Sequence, residues 1–152
     1  MRETIFHQTT KIDDGRTPIS FIEDMAVPIE HLSTFILDLQ KIFQKNKIEA
    51  IIYGHAGEGN LHIRPLINVN KKNWKSTVKK IAKEAFGSCF KYGGTITGEH
   101  ASGLNKAPFL EKEWGKKIYA YFKEIKNIFD QENILNTKAM FFKGDFTKNM
   151  KY

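Results

Sequence analysis

The segment at residues 49–67, EAIIYGHAGEGNLHIRPLI, limits the possible folds of this 152-residue chain more than any other part of it. Two runs of β-prone residues flank a glycine-rich stretch, the sequence pattern of an antiparallel β-hairpin. A two-residue turn at Glu58 and Gly59 predicts that His55 lies directly opposite His62. Directly opposed residues have Cβ atoms about 4.5–5.5 Å apart, so two imidazoles at these positions can bind one divalent cation.

The alternation of side chains along a strand gives this hairpin two different faces. One predicted face is mostly polar, and it carries Tyr53, His55, Asn60, His62 and Arg64 beside Ile51 and Leu66. The other is apolar, and it carries Ile52, Leu61, Ile63 and Ile67 with Gly54 and Ala56. The glycines, Gly54, Gly57 and Gly59, indicate that the backbone bends or closely approaches a ligand. We therefore expect the apolar face to pack on helices and the polar face to bind a ligand.

A third metal ligand is predicted in the triplet GEH, where Glu99 could complete a His-His-Glu site. A site of this kind with open positions binds a substrate carboxylate and hydroxyl, and the metal lowers the pKa of the hydroxyl. His100 is then available to accept the proton. Spacing alone equally allows an ordinary histidine pair, a Glu99 paired with a lysine, and a His100 hydrogen-bonded to a backbone carbonyl.

Three other segments, at residues 29–46, 73–92 and 114–130, have apolar residues at helical spacing. The apolar stripe of the third comprises Trp114, Ile118, Tyr121, Phe122, Ile125, Ile128 and Phe129. Residues 19–28 are compatible with a strand that ends at Pro28. This mixed order predicts one α+β domain over residues 1–152, with an antiparallel sheet covered by helices on one face.

The net charge of +7 does not by itself indicate a nucleic-acid partner. Lysines are scattered and interrupted by acidic residues, arginines are scarce, and no aromatic stacking motif accompanies them. The single cysteine, Cys89, excludes an internal disulfide framework and fits a reducing compartment. No apolar run approaches the roughly 20 residues of a membrane span, and the first residues lack a signal-peptide pattern. We expect a cytoplasmic protein.

Four ordered motifs, FIEDMAVP, GHAGEGNLHIRP, YGGTITGEHASGLNKAPFLEKEWG and IKNIFDQENILN, resemble the C-terminal domain of FAD-linked oxidases. The resemblance covers residues 19–136, and the combination of motifs is more specific than any one of them. The family includes D-lactate dehydrogenases, the flavin-containing component of glycolate oxidase and D-2-hydroxyglutarate dehydrogenases. FIEDMAVP is most similar to the large forms that are fused to an iron–sulfur module.

This resemblance implies a ferredoxin-like cap fold and a role for each of several residues. It implies His55, His62 and Glu99 as metal ligands, Asn60 as a substrate contact beside Arg64, His100 as the catalytic base and Asn136 as a residue near the flavin. The implied cofactors are FAD and a divalent metal, for which mixed His and carboxylate ligands favour Zn²⁺ or Mn²⁺. FAD would be held mainly by an N-terminal flavin-binding domain that we expect to be absent from this chain.

The implied function is therefore half of an enzyme. The chain would bind a small 2-hydroxy acid of the D-lactate or D-2-hydroxyglutarate type, and the C2 hydride would pass to FAD on another domain or chain. Through such partners a peripheral association with the respiratory chain and its membrane is expected. The isolated chain is expected to be inactive.

Two departures from the family pattern support a rival interpretation. Ala101 stands where the family usually has glycine after the GEH triplet, and Thr137-Lys138 replaces a Pro-Gly turn after ILN. Ala101 replaces a residue without a side chain and so restricts the backbone conformations at that position. The loss of the Pro-Gly turn puts in doubt a contact between the C-terminal tail and the flavin. The rival is a metal-binding module without turnover, or the remnant of a split oxidase gene.

Overall fold

A computed structural model describes residues 14–137, 139–148 and 150, and it divides the chain into two compact units. The first unit extends to Gly98, and the second covers residues 99–150. The elements of the first unit are β1 (Thr17–Pro18), β2 (Met25–Ala26), α1 (Leu32–Asn46), β3 (Ala50–His55), β4 (Asn60–Ile67) and α2 (Trp74–Lys91). None of the helices in these described ranges has the length and apolarity that a bilayer span requires.

Strand β4 is the centre of an antiparallel sheet. Along one edge it pairs with β3, and along the other it pairs with β2 near its start and with β1 near its end. Ala26 of β2 forms a further antiparallel bridge to Thr95, beyond α2. The order Thr95, β2, β4, β3 is that of a ferredoxin-like βαββαβ unit, so the predicted α+β fold with an antiparallel sheet is confirmed.

Helices α1 and α2 lie where their periodicity predicts them, and they pack against each other. The side chains of Phe35, Leu39 and Phe43 are buried along α1. Helix α1 ends at Lys47, which adopts a left-handed conformation and donates its backbone N–H to the last turn. The buried residues of α2 are Trp74, Val78, Ile81, Ala82, Ala85, Phe86 and Cys89. Together with Leu61 and Ile63 from the apolar face of β4, these side chains contribute to the core of the first unit.

The predicted strand at residues 19–28 is mostly wrong, because only Met25–Ala26 forms a strand there. The segment still follows β4: the Ile19 N–H donates to the Pro65 carbonyl, and the Asp24 N–H donates to the Leu61 carbonyl. Asp24 itself has a φ of 68°, in the left-handed region, which interrupts a regular strand. The apolar residues before it are buried as core side chains without continuous strand pairing.

The predicted two-residue hairpin turn is also wrong. Ala56–Glu58 forms a turn of 3₁₀ helix, and Gly59 closes it at a φ of 70° with its N–H donating to the Ala56 carbonyl. Consequently His55 is opposite Asn60, and His62 is opposite Tyr53. The register differs from the prediction by two residues, and side chains alternate with a period of two, so each side chain keeps its predicted face.

The second unit contains α3 (Gly103–Lys106) and α4 (Leu110–Phe129), with 3₁₀ turns at Ala107–Phe109 and Phe146–Lys148. Helix α4 begins four residues before the predicted start, and non-helical backbone at Gly115, with a φ of 76°, interrupts it. Leu110 and Tyr119 are its buried residues.

The apolar stripe of α4 is largely exposed. Exposed fractions reach 53% at Ile125, 68% at Ile128 and 81% at Phe129. The more covered side of the helix follows a different line, through Tyr119, Phe122 and Lys126 to Asp130 just after its end. Periodicity establishes that a helix is amphipathic, but it does not establish that the same chain supplies what covers the apolar side.

Candidate metal and substrate site

The polar face of the β3–β4 hairpin brings four of the predicted site residues together: His55, Asn60, His62 and Arg64. The rings of His55 and His62 are nearly perpendicular, with centroids 5.6 Å apart. One ring nitrogen of His55 and one of His62 lie within 4.8 Å of each other. His62 is buried and His55 is exposed, so the pair presents one fixed and one accessible imidazole.

The position of His62 is determined by close neighbours on both strands and on the segment before β2. The ring of Tyr53 lies against it, with centroids 5.2 Å apart. The Glu23 carboxylate lies 3.7 Å from His62 Nδ1 and 3.4 Å from a terminal nitrogen of Arg64. Arg64 in turn donates from Nε to the Tyr53 hydroxyl at 3.2 Å. Glu23, Tyr53, His62 and Arg64 are therefore one connected group.

Asn60 is held by a buried carboxylate. Its amide nitrogen donates to Asp24 Oδ1 at 3.0 Å, and Asp24 has no solvent exposure. The amide nitrogen of Asn60 thus faces Asp24, and Oδ1 is the atom that can accept a hydrogen bond. Asn60 Oδ1 is buried and accepts no hydrogen bond from the residues that the structure describes. This acceptor is suited to a donor from a ligand.

Sequence reasoning missed Glu23 and Asp24 as site residues. Both lie in the motif FIEDMAVP. This motif supported the family resemblance, but its two acidic residues were given no chemical role. The available signal was that two adjacent acidic residues follow the buried residues Phe21 and Ile22. Charged groups beside a core segment usually have partners.

The other predicted site residues, Glu99, His100 and Asn136, belong to the second unit. Glu99 Oε1 lies 3.5 Å from His100 Nε2, and both side chains are substantially exposed. Ala101 has a negative φ, so alanine in place of the usual glycine imposes no left-handed strain.

Asn136 has a φ of 45° and lines a cavity of about 350 Å³. The lining is mainly apolar and includes Phe122, Ile125, Leu135, Ala139, Met140 and Phe141 together with Lys126.

The donors on the hairpin face fit a divalent metal. Imidazole binds Zn²⁺, Fe²⁺ and related ions, and a Zn–N bond is about 2.0–2.1 Å long. Two nitrogens on one ion are therefore roughly 3–4 Å apart, and one ring nitrogen each of His55 and His62 lie within 4.8 Å of each other. His55 and His62 are the residues of the first unit that would hold the ion.

Comparison with known proteins decides the family. The sequence model of the family described as "FAD linked oxidases, C-terminal domain" matches residues 1–139. The chain belongs to this family. The resemblance carried by the four motifs is thus confirmed, and membership implies FAD as the cofactor. The relation to forms fused to an iron–sulfur module stays a prediction.

Curated relatives share these residues at moderate identity. Glycolate oxidase subunit GlcD of Bacillus subtilis (strain 168) is 36% identical over 126 residues, which are 83% of this chain and 27% of that protein. D-2-hydroxyglutarate dehydrogenase of Escherichia coli (strain K12) is 31% identical over 119 residues, 78% of this chain and 12% of that protein. The mitochondrial D-lactate dehydrogenase [cytochrome] of Arabidopsis thaliana is 29% identical over 117 residues, with shares of 77% and 21%. The matched part of this chain thus spans between 12% and 27% of the length of these three relatives.

Proposed function

We propose that this chain is the substrate- and metal-binding part of a flavin-dependent dehydrogenase of 2-hydroxy acids, of the D-lactate or D-2-hydroxyglutarate type. The observation that carries the proposal is the polar hairpin face, where two imidazoles, a guanidinium and a buried amide acceptor lie together in a member of the FAD-linked oxidase family. Relatives named for oxidation of glycolate, D-lactate and D-2-hydroxyglutarate support the substrate class.

In this proposal, His55 and His62 hold a Zn²⁺ or Mn²⁺ ion, and Glu99 supplies the third ligand. A divalent metal held by these residues would polarise a substrate hydroxyl and lower its pKa. Arg64 presents a planar guanidinium, which suits a carboxylate better than an ammonium does, so it binds an acid group of the substrate. Asn60 accepts a hydrogen bond through Oδ1, the atom that the described residues leave without a donor.

The proton and the hydride leave the substrate toward different groups. His100 would accept the hydroxyl proton, and a flavin would take up the C2 hydride as the 2-hydroxy acid becomes a 2-oxo acid. Asn136 would lie near that flavin. This division needs a flavin held by another domain or chain, because the matching family model describes the C-terminal domain of FAD-linked oxidases.

The exposed stripe on α4 is the surface that we propose for the flavin-binding domain. Its residues include Trp114, Ile118, Tyr121, Ile125, Ile128 and Phe129, and the exposed side chains of Ile134 and Leu135 follow along the chain. Large contiguous apolar patches on soluble proteins usually mark interaction sites. The flavin-binding domain is the favoured occupant because the exposed residues lead along the chain to Asn136, the residue assigned to the flavin. A cytoplasmic location and a peripheral link to the respiratory chain remain predictions.

The experiment is a chimera in which this chain replaces the matched segment of the Bacillus subtilis glycolate oxidase protein. Anaerobic mixing with glycolate, D-lactate or D-2-hydroxyglutarate is followed by loss of the absorbance of oxidised flavin. We expect reduction with at least one substrate, and a loss of at least 100-fold in the rate for His55→Ala, His62→Ala, Glu99→Ala and His100→Ala. His31→Ala is the matched control, because the His31 ring lies tilted against Tyr92, with centroids 5.4 Å apart, and has no place in the proposed site.

Two outcomes contradict the proposal. A chimera that binds flavin but reduces it with none of the three acids excludes the assigned substrate class. Reduction that survives in His55→Ala, His62→Ala and Glu99→Ala excludes the metal site. If the chain binds metal while the flavin-loaded chimera stays oxidised, the result favours a metal-binding module without turnover.

A further inference from the structure

We infer that the adjacent carboxylates Glu23 and Asp24 are positioning residues that orient the metal and substrate ligands of β4. This inference rests on the proposed function, since it concerns the same hairpin face. Each carboxylate contacts different site residues: Glu23 contacts His62 and Arg64, and Asp24 contacts Asn60. Neither is a metal ligand in the proposed function, although a carboxylate oxygen of Glu23 lies within 4.8 Å of a ring nitrogen of His62.

The left-handed backbone at Asp24 explains how two consecutive side chains reach one face of the sheet. In a regular strand, adjacent side chains point to opposite faces. Ala26 is paired with Asn60, so the two side chains share one face of the sheet. In a regular strand, Asp24 would lie on this face as well, and Glu23 would lie on the opposite face. The φ of 68° at Asp24 breaks the alternation, and both carboxylates contact even-numbered residues of β4. Left-handed conformations at non-glycine residues are uncommon and cluster at functional sites.

Glu23 determines which nitrogen of His62 is presented to a metal. Its carboxylate lies 3.7 Å from Nδ1 of the buried ring, which is longer than a hydrogen bond, and the negative charge on that side favours a proton on Nδ1. The lone pair of the neutral ring then resides on Nε2, the atom left for coordination. A carboxylate behind a ligating histidine is a recurrent arrangement, and its loss typically weakens metal binding about 10–100-fold. The same carboxylate also fixes the guanidinium of Arg64.

Asp24 determines the chemistry that Asn60 offers to the substrate. The amide nitrogen of Asn60 is committed to Asp24, so Oδ1 is the atom offered to a ligand. Gly98 closes this arrangement: its N–H donates to the Asp24 carbonyl, and a Cβ at this position would collide with the Asn60 amide nitrogen. Oδ1 can therefore accept a hydrogen bond from a donor such as the hydroxyl of a 2-hydroxy acid.

The first test follows the side-chain nitrogens of His62 by NMR in the full chain, at an alkaline pH where the ring is neutral. We expect a single Nδ1–H tautomer in the wild type and a mixture of tautomers in Glu23→Gln. Glu84→Gln is the matched control, because Glu84 is a similarly covered carboxylate with two partners, Lys45 and Asn46. It should reduce stability without changing the His62 spectrum. An unchanged tautomer in Glu23→Gln overturns the role of Glu23, whether or not the chain binds metal.

The second test uses Asp24→Asn, which keeps the backbone because asparagine tolerates the left-handed region. We expect the side-chain amide protons of Asn60 to exchange with solvent at least ten-fold faster than in the wild type. Unchanged protection overturns the role of Asp24.

Metal affinity gives a readout that links the inference to the proposed function. Titration with Zn²⁺ should show at least ten-fold weaker binding for Glu23→Gln than for Glu84→Gln. Equal affinities contradict the positioning role. A wild-type chain that binds neither Zn²⁺ nor Mn²⁺ removes the metal from the proposed function, and the two NMR tests still decide the inference.

Discussion

At the scale of single residues, Asp38 illustrates how one carboxylate ties two helices together. It lies on α1 and accepts hydrogen bonds from the hydroxyl of Tyr92 at 2.8 Å and from Lys91 at 3.3 Å, both at the end of α2. The Tyr92 hydroxyl, followed by Lys91, lowers the pKa of Asp38, and partial desolvation opposes them. A carboxylate with a lowered folded-state pKa stabilises the fold above its unfolded pKa of about 3.9, and this contribution is lost as pH falls through the folded value.

Asp38→Asn should therefore lower the free energy of unfolding by about 1–2 kcal/mol at pH 7. Urea denaturation of both proteins over a series of pH values from neutral to about 2 measures the difference. The two stability curves should converge at acid pH, where the native carboxylate is protonated as well. A difference that stays constant over the whole series would show that the charge of Asp38 contributes nothing.

The residues of the site were only partly predictable. Alternation along the strands predicted that His55, Asn60, His62 and Arg64 share a face, because this property survives an error of two residues in register. Glu23 and Asp24 were not predicted. Their contacts with β4 cross 36 or more positions of sequence, and no glycine signals the left-handed backbone at Asp24.

At the scale of elements, the hairpin turn shows what sequence left undetermined. Strand propensity and glycine content predicted a hairpin, but several turn lengths suit the same residues. The turn that forms depends on Gly59, whose left-handed backbone lies against the Val27 carbonyl. The sequence does not indicate this contact.

Gly59→Ala should lower the free energy of unfolding by about 2 kcal/mol or more, because a Cβ there adds left-handed strain and overlaps the Val27 carbonyl oxygen. Gly57→Ala is its control in the same turn: a Cβ at Gly57 meets no atom of the described residues within 4 Å. It should change stability by less than about 0.5 kcal/mol. Denaturant melts of the two variants compare them directly, and similar losses would argue against the observed turn.

The positions of helices α1 and α2 were predicted nearly to the residue. The exposure of the apolar stripe of α4 was not predicted. The first two have partners within the same unit, and the apolar stripe of α4 is exposed. Hydrophobic periodicity reports a preference for burial, and the covering surface can belong to a different domain.

Ile128→Ala and Phe129→Ala should each change the stability of this chain by less than about 0.5 kcal/mol. Leu39→Ala, at a fully buried position of α1, should lower it by about 2–5 kcal/mol. The two surface variants should instead weaken binding to a separately produced flavin-binding domain, measured by calorimetry. Destabilisation of the free chain by Ile128→Ala and Phe129→Ala, with unchanged association, would contradict the proposed docking surface.

At the scale of the whole molecule, the order of four motifs was the most informative property of the sequence, since it identified the family that the comparisons confirm. The α+β sheet could be derived from periodicity and turn residues. The identity of the substrate could not be derived, because a chain that covers 12–27% of its relatives contains only part of their residues. The central claim is that the polar face of the first unit is the metal and substrate half of an oxidase.

The most direct measurement is calorimetric titration of the wild-type chain with Zn²⁺ and Mn²⁺, alongside His55→Ala, His62→Ala, Glu99→Ala and the control His31→Ala. We predict one binding site per chain in the wild type and in His31→Ala, and a loss of at least 100-fold in affinity in the other three variants. Circular dichroism establishes that each variant is folded. Absence of binding in the wild type, or wild-type affinity in His55→Ala, His62→Ala and Glu99→Ala, would contradict the account.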